Sequence, residues 1–435
     1  MFYRDVGTTL LIFLDIVRNI DILRHSSWPS KNWHVTVNTT LTTQQTNRPM
    51  NVAHTFAGGL LLCVLAAMPA APAALANGHH PINASLAAIA DNTWSRVADT
   101  APPGGALAFS GMAYDSKHHK LLVFGGGHWD YSGNEIWAFD INTLTWSKMY
   151  EPVPESAYTS QYASSQNPGA ILYPDPNAPL SEAQPLTRHT YDTVEFIESR
   201  GVLFTRGRYT WGDGQQGYCW GCRDTWTYDL DTNKWTYRNL AGVPVDKGDG
   251  AAAYDPVADL MVVMSPTTQM FVYDINSDQW TERFPSGNPI SSIETVMEYD
   301  SNRHVMYLFG GEFPSHNELW EYDLAGNRWT RLNPTGQRPP TGGGYGLAYD
   351  RVNGVLIAFK GGAGTWVYDP ALNTWTEQNP TTGNPPANGR VHGNLKYDRI
   401  NNVVFLVSTE GGTWAYRYRQ GTVTKPNAPS GLAVR

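Results

Sequence analysis

The chain has 435 residues, with 31 basic and 39 acidic side chains and a formal net charge of −8. Without residues 1–76 the remainder carries 26 basic and 36 acidic groups, a net charge of −10. A moderately acidic chain without basic clusters is not typical of proteins that bind nucleic acid or anionic membranes, so we expect neither partner.

The first segment with a recognisable pattern covers residues 50–76. It begins at Met50, continues through an apolar stretch and ends in Ala74-Leu75-Ala76. An apolar core with a small-x-small end is typical of a secretory signal peptide. It departs from the usual pattern because no Lys or Arg follows Met50, although Arg48 lies just before it.

Signal peptides stand at chain starts, so we expect residues 1–49 to be an over-extended start that is not part of the mature protein. The alternative is a membrane anchor over residues 56–76, but that stretch is short and rich in alanine. The sequence therefore predicts export to the extracellular space or the periplasm, with no membrane contact after cleavage. Residues 77–91 are predicted to be a linker.

Five times in the rest of the chain, an aromatic-Asp pair is followed by a tryptophan six residues after the aspartate. A sixth copy, Trp414-Ala415-Tyr416, lacks the closing tryptophan. From Trp235 onward the tryptophans are 45, 49 and 46 residues apart. A fixed period of this size, built from strands and turns, predicts a radial array of β-sheets. The five full copies are Phe139-Asp140 to Trp146, Tyr228-Asp229 to Trp235, Tyr273-Asp274 to Trp280, Tyr322-Asp323 to Trp329, and Tyr368-Asp369 to Trp375.

One unit, residues 343–380, shows the content of each repeat. Four short strands rich in β-branched and aromatic residues are separated by Gly, Asn, Asp and Pro. Glycine pairs such as Gly125-Gly126, Gly310-Gly311 and Gly361-Gly362 follow a second strand that is apolar throughout, as in a strand buried on both faces. Together these features resemble kelch repeats over residues 92–420. The resemblance implies an all-β, kelch-type β-propeller of four-stranded antiparallel blades, in the superfamily of galactose oxidase.

Six first strands predict six blades. The last blade lacks a fourth strand, whereas Asn92–Val97 precedes the first blade and reads as an isolated fourth strand, so pairing the two would close the ring. The 89-residue interval from Trp146 to Trp235 leaves seven blades as the alternative, but the proline-rich residues 151–186 favour an inserted loop. The first strands are Gly111–Asp115, His189–Phe196, Ala251–Asp255, Val296–Asp300, Leu347–Asp350 and Asn394–Asp398.

Beyond the repeats, residues 421–435 resemble a linker that enters a fibronectin type III domain, which we expect to be missing here. Within the repeats, Cys219 and Cys222 form a Cys-Trp-Gly-Cys sequence. Without a second cysteine pair for zinc or a surrounding βαβ pattern, we predict a disulfide between them rather than a metal or redox site. Closing such a small loop contributes about 2 kcal/mol on the loop-entropy estimate.

Function is expected on one face, because the segments that vary between repeats all join second to third strands or connect blades. These segments are Gly125–Glu135, Met149–Thr187, Arg206–Asp224 and Gly311–Glu318. Aromatic rings stack on sugars and arginine binds carboxylates, so we predict a carbohydrate site there. The predicted catalytic residues are His128, His189, Tyr191 and Arg208, and the predicted ligand-binding residues are Trp129, Tyr131, Arg188, Arg206, Trp211, Glu294, Lys360, Arg390 and His392.

Several of these residues also have structural interpretations. Trp129 and Trp211 are equally compatible with capping blade edges, and Arg188 with a salt bridge to Asp192 or Asp130. A single histidine is more often structural than catalytic, but three on one face favour a functional role for at least one.

Two resemblances bear on chemistry. Copper radical oxidases similar to galactose oxidase need a cysteine crosslinked to a tyrosine, but both remaining cysteines here share one loop, so we predict no metal and no cofactor. Propeller lyases of the ulvan-lyase type resemble this chain in residue types and face, although they have seven blades. That resemblance implies His128, His189 and Tyr191 as base and acid, and Arg208 neutralising a uronate carboxylate.

The sequence thus predicts a monomeric, secreted propeller that binds carbohydrate on its loop-rich face. Polysaccharide lysis by β-elimination is the enzymatic alternative. An extracellular protein-interaction scaffold is the third hypothesis, since a fold does not imply a function.

Overall fold

The computed structural model describes residues 80–126, 131, 133–157, 170–209, 224–238, 250–386, 394–408 and 411–421. The predicted signal peptide, residues 1–49 and nearly all of the predicted linker over 421–435 lie outside these residues. The described chain forms six four-stranded antiparallel sheets. The inner strand of each sheet contacts the inner strands of the two neighbouring sheets, which closes a six-bladed β-propeller.

The strands follow one plan, from the axis outward in blades 1 to 5. Blade 1 contains Gly111–Asp115, Lys120–Phe124, Trp137–Asp140 and Thr145–Lys148. Blade 2 contains Val194–Ile197, Val202–Thr205, Thr225–Asp229 and Lys234–Arg238. Blade 3 contains Ala251–Asp255, Leu260–Met264, Met270–Asp274 and Gln279–Arg283. Blade 4 contains Val296–Asp300, Val305–Gly311, His316–Asp323 and Arg328–Leu332. Blade 5 contains Gly346–Asp350, Val355–Lys360, Gly364–Asp369 and Thr374–Gln378.

Blade 6 joins the two ends of the repeat region. Its inner three strands are Leu395–Asp398, Val403–Ser408 and Gly412–Arg417, and its outer strand is Thr93–Ala98. Trp94 lies opposite Tyr416 in this antiparallel pair. The predicted closure of the ring is therefore confirmed, and the described chain has six blades rather than seven.

Short elements lie outside the blades. Helices Ala84–Ala87 and Gly104–Leu107, and 3-10 turns Glu155–Ala157 and Leu180–Glu182, each span one turn or less. Two-stranded ribbons pair Arg188–His189 with Arg208–Tyr209 and Ala170–Ile171 with Gln184–Pro185, and Thr335–Gly336 adds to the edge of blade 5.

The inner strand of blade 2 is shorter than predicted. It begins at Val194 rather than His189, because the chain turns between Thr190 and Thr193, where the Thr193 amide donates to the Thr190 carbonyl at 2.8 Å. Tyr191, within this turn, has a φ of +47°. A left-handed residue cannot continue a strand, so Arg188–His189 forms a separate ribbon.

Part of the predicted linker over residues 77–91 packs on the propeller. The Asn83 side chain caps the short helix Ala84–Ala87 and also donates to the Ile141 carbonyl at 3.0 Å. Leu86 is fully buried, and the Arg417 guanidinium of blade 6 donates to the Leu86 and Ile89 carbonyls, each at 2.8 Å. This segment therefore covers the junction of blades 6 and 1.

The repeated tryptophan is the contact between blades. Trp235 packs on Phe124 of the preceding blade at 4.8 Å between ring centroids, and Trp375 packs on Phe309 at 5.2 Å. Trp94 makes the same contact with Phe359 at 5.3 Å. These indoles fill the space between neighbouring sheets, and the contact explains why their spacing equals one blade.

Aspartates in the short turns fold their side chains onto the backbone. The Asp300 carboxylate accepts from the amides of residues 302 and 303, and Asp115, Asp255, Asp350 and Asp398 make similar turns. In the inner-strand turns of blades 1, 3, 4 and 6 the residue that ends the turn is left-handed: His119, Asp259, His304 and Asn402.

His119 combines this turn position with an ion pair. Its imidazole is fully buried, and Nε2 lies 3.2 Å from Asp398 of blade 6 while Nδ1 lies 3.0 Å from Asn142. Burial opposes protonation, but the hydrogen bond and charge of Asp398 outweigh it, so the pKa of His119 is raised. This histidine therefore links the first blade to the last.

We therefore expect His119→Asn to destabilise the protein in a pH-dependent way. Because the folded-state pKa is raised, the stabilisation is fully present below the unfolded pKa of 6.5 and is lost as pH rises through the folded value. The loss of unfolding free energy should be about 1–3 kcal/mol near pH 5.5 and smaller near pH 8, measured by urea unfolding. Asparagine tolerates the left-handed backbone.

His304→Asn is the matched control. His304 occupies the same turn position in blade 4, but its partner is the Tyr299 hydroxyl at 2.9 Å rather than a carboxylate. Equal pH dependence in the two variants would contradict an ionic role for His119.

Candidate functional site

A ring of residues with left-handed backbone surrounds the axis on the loop-rich face. The position in question lies six residues before the last residue of each inner strand. In the four blades where it is described, it is occupied by Phe109 (φ +56°), Tyr191 (φ +47°), Glu294 (φ +59°) and Gly344 (φ +73°). Because the conformation recurs in every described copy, it belongs to the repeat. The side chains at this position differ, and they therefore determine the chemistry of the inner rim.

In the sector of blades 1 and 2 the rim is aromatic. The His189 ring stacks on Phe109 at 4.8 Å and meets Tyr191 edge-on at 5.7 Å. Arg208 lies opposite His189 in the two-stranded ribbon. Three of the four predicted catalytic residues are thus neighbours, and His128 lies outside the described residues. Phe109, His189 and Tyr191 are each at most 8% exposed, so these three side chains present little surface to a ligand.

Arg188 is an internal ion-pair residue. Its guanidinium is fully buried and donates to Asp224 at 2.9 Å and to the Leu186 carbonyl at 3.0 Å. The second oxygen of Asp224 accepts from the Trp226 indole at 2.8 Å. The salt-bridge interpretation of Arg188 thus has a partner, Asp224, that differs from the two aspartates considered from the sequence. This network ties the start of blade 2 to its third strand.

Arg206 takes a position that elsewhere holds an apolar side chain. Arg206 follows the second strand of blade 2 and lies opposite Thr193. The equivalent position is occupied by Phe124 in blade 1, Phe309 in blade 4 and Phe359 in blade 5. Its guanidinium carbon lies 5.0 Å from the centroid of the Trp280 ring, and the residue is 3% exposed. The geometry gives Arg206 a packing role between blades 2 and 3.

The sector of blades 4 and 5 is polar and more accessible. Glu294, Glu312 and Lys360, here called the carboxylate–lysine cluster, converge on Gly342 and Gly343. A Cβ on Gly342 would lie 2.7 Å from the Lys360 ammonium and 3.3 Å from Glu312 Oε2, and a Cβ on Gly343 would lie 2.7 Å from Glu294 Oε2. Only glycine leaves room for three charged groups at this point.

Neighbouring contacts hold the cluster in place. The Gly343 amide donates to Glu312 Oε2 at 3.0 Å. The backbones of Glu312 and Ile293 exchange two hydrogen bonds, of 2.8 and 3.2 Å. The Lys360 ammonium lies 5.4 Å from the centroid of the Tyr345 ring, and Tyr345 donates to the Pro340 carbonyl. Glu294 and Lys360 were predicted ligand-binding residues, and the structure brings them together with Glu312, which sequence reasoning missed.

Tyr131 belongs to a separate group. Its hydroxyl donates to Glu135, which also accepts from the Trp137 indole at 3.1 Å. Burial and the hydrogen bond to Glu135 raise the pKa of Tyr131. The predicted catalytic residue His128, the predicted ligand-binding residues Trp129, Trp211, Arg390 and His392, and the predicted disulfide partners Cys219 and Cys222 lie outside the described residues.

A second charged group, unpredicted, lies on the propeller axis. The residue two before the end of each inner strand reads Ala113, Glu195, Ala253, Glu298, Ala348 and Lys396 in blade order. The alternating alanines leave room for three charged side chains, and the Lys396 ammonium lies 2.5 Å from Glu195. We call Glu195, Glu298 and Lys396 the axial triad. The alternation is visible once the inner strands are aligned.

The axial triad contains two carboxyl groups and one ammonium. Burial raises the pKa of Glu298 to about 8, although Lys396 acts against the increase. Burial also raises the pKa of Asp192, which lies on the same axis and accepts from the Met297 amide at 2.6 Å. The carboxylates in turn raise the pKa of Lys396 despite its burial. One ammonium thus faces three carboxyl groups, of which Asp192 is buried and Glu195 and Glu298 are partly buried.

Comparisons with known proteins add no family: no protein-family model matches the chain, and no curated protein is similar to it. Within the described residues, no three histidine, cysteine or acidic side chains are arranged to hold a metal ion. In the same part of the chain, no helix has the length and apolar character needed to cross a membrane.

Proposed function

We propose that this protein is a secreted, kelch-type propeller that binds carbohydrate at the inner rim of its loop-rich face. The observation that carries the proposal is the carboxylate–lysine cluster. Its two carboxylates and one ammonium are half-buried and lie on the face where the varied segments gather. Carboxylates accept hydrogen bonds from hydroxyl groups and lysine donates to them, so the cluster suits a hydroxyl-rich ligand.

The charge of the cluster favours a neutral or amino sugar over a uronate. Among the described residues, the cluster contributes two carboxylates and one ammonium, and each carboxylate repels a ligand carboxylate.

Binding is better supported than β-elimination. A lyase would use His189 and Tyr191 as proton-transfer groups, and these must come within hydrogen-bond reach of the substrate. In the structure these side chains are 2% and 3% exposed and pack against Phe109. The carboxylate–lysine cluster requires no such rearrangement to meet a ligand.

We expect Glu312→Gln and Lys360→Met each to weaken binding at least tenfold, since a hydrogen bond to a charged group contributes about 1.5–3 kcal/mol. The exported chain would first be screened against neutral, amino and acidic polysaccharides, and affinities for the best ligand measured by calorimetry. Glu377→Gln, an exposed carboxylate on the outer strand of blade 5, is the control.

Unchanged affinity in both rim variants would refute the site. Release of unsaturated sugars from an acidic polysaccharide would instead favour the lyase hypothesis. A protein partner captured with no glycan bound would favour the scaffold.

A further inference from the structure

The face with the short turns carries its own cavity, on the axis. It has a volume of about 180 Å³ and lies where the inner strands end. The axial triad contributes to its lining, and Glu198, Arg351 and Arg399 from the adjoining turns also border it. It is separate from the carboxylate–lysine cluster, which belongs to the loop-rich face.

Tyrosines form the wall of this axial cavity. Five of the six inner strands place a tyrosine one residue before their last: Tyr114, Tyr254, Tyr299, Tyr349 and Tyr397. The hydroxyls are bonded to turn residues, for example Tyr114 to Asp398 at 3.0 Å and Tyr397 to Asn402 at 2.9 Å. With the hydroxyls engaged in this way, the tyrosines offer mainly their aromatic rings to the cavity.

The floor of the cavity holds two carboxyl groups and one ammonium. Lys396 makes its 2.5 Å ion pair with Glu195, and this single ammonium also faces Glu298. At the rim, Arg399 is paired with Glu198 at 3.5 Å, whereas Arg351 is exposed. The rim thus carries one exposed arginine and one partly buried, paired arginine, whereas the floor holds two carboxyl groups and the Lys396 ammonium.

We propose that the axial cavity binds a small organic cation, with its ammonium or quaternary ammonium group among the tyrosine rings and against Glu298. Aromatic faces attract cations, with about 2 kcal/mol or more when the cation is desolvated. The carboxylate of Glu298 supplies the countercharge. A volume of about 180 Å³ accommodates a trimethylammonium group with a short chain.

The ionisation of Glu298 gives the proposal a pH signature. The charged groups that face this carboxyl are Lys396 and Glu195, with Asp192 on the same axis. Since its pKa is raised to about 8, Glu298 is largely protonated at neutral pH, and a bound cation should displace that proton. Affinity should therefore increase as pH rises from about 6.5 to 9.

The test uses choline as the probe and its uncharged carbon isostere, 3,3-dimethylbutan-1-ol, as the matched ligand. Calorimetry on the wild-type chain should show choline binding at least tenfold tighter than the alcohol. Glu298→Gln, which keeps the shape of the side chain, should reduce choline affinity at least tenfold. Glu377→Gln should leave it unchanged. n-Butylamine in parallel distinguishes a primary from a quaternary ammonium.

Three results would overturn the proposal. These are no choline binding at millimolar concentrations, equal binding of the alcohol, or full choline affinity in folded Glu298→Gln. If that variant does not fold by circular dichroism, the wild-type comparison of choline with the alcohol decides alone.

Discussion

Trp94→Ala should lower the free energy of unfolding by about 3–5 kcal/mol, the usual cost of truncating a large buried aromatic side chain. Trp94 is 1% exposed and packs on Phe359 and Tyr416, with centroid distances of 5.3 and 4.9 Å. Its indole donates to Thr365 of blade 5 at 2.9 Å, so truncation also leaves that buried hydroxyl without this donor. The strand that carries Trp94 closes the ring.

The comparison that matters is with Trp235→Ala. Trp235 holds the equivalent position within a continuous blade, packs on Phe124 and donates to Tyr150 at 2.7 Å. Chemical unfolding should give losses of similar size for the two variants. The control is Phe284→Ala, whose ring is 78% exposed and whose loss should cost less than about 0.5 kcal/mol. A negligible effect at Trp94 alone would show that the terminal strand does not hold the ring.

Lys396→Met should destabilise the protein by about 3–5 kcal/mol near neutral pH, because it removes the ammonium that faces Glu195, Glu298 and Asp192. Methionine roughly preserves the volume of the lysine side chain, so the effect is electrostatic. Lys396 is 6% exposed, and Glu195, Glu298 and Asp192 each raise its pKa. The contribution of the raised lysine pKa is present below the unfolded value of 10.5 and is lost as pH rises through the folded value, and the ion pairs act only where the carboxyl partners are ionised.

The destabilisation should grow with pH. The folded-state pKa of Glu298, about 8, lies above its unfolded value of 4.5, so protonation favours the fold and this contribution is lost as pH rises between the two. Without Lys396 the carboxyl groups become harder to ionise, and the variant should recover much of its stability near pH 5. Adding Glu298→Gln to Lys396→Met should restore part of the loss near pH 8. A loss independent of pH would show that packing, not charge, is the role of Lys396.

The repeat predicted the fold well because each blade meets its neighbours through the same side chains. A tryptophan at fixed spacing and an Asp-capped turn place every sheet, and the isolated Trp94 segment could be matched to blade 6 on that basis. Blade 2 deviated at its inner strand, because the left-handed turn at Tyr191 lies within a segment whose β-branched and aromatic residues also suit a strand.

The candidate site was less predictable, since a side chain's chemistry does not reveal whether it faces solvent or a neighbouring sheet. Arg188 and Arg206 have the composition of ligand-binding residues, yet one is buried against Asp224 and the other beneath Trp280. Glu312 could not be identified from the sequence as a site residue, because its proximity to Glu294 and Lys360 depends on the fold around Gly342 and Gly343. The axial triad required the register of six strands from distant parts of the sequence.

Because Asn92 and Tyr416 meet at 2.7 Å across 324 residues of sequence, the last sheet is completed by the strand of the propeller that is synthesised before all the others. During synthesis this strand has no pairing partner until the strand Gly412–Arg417 has been made. Such long-range pairing gives a high contact order and slow folding, with sheet edges exposed to other nascent chains meanwhile. Assembly of this protein is therefore governed by the arrival of its final strand.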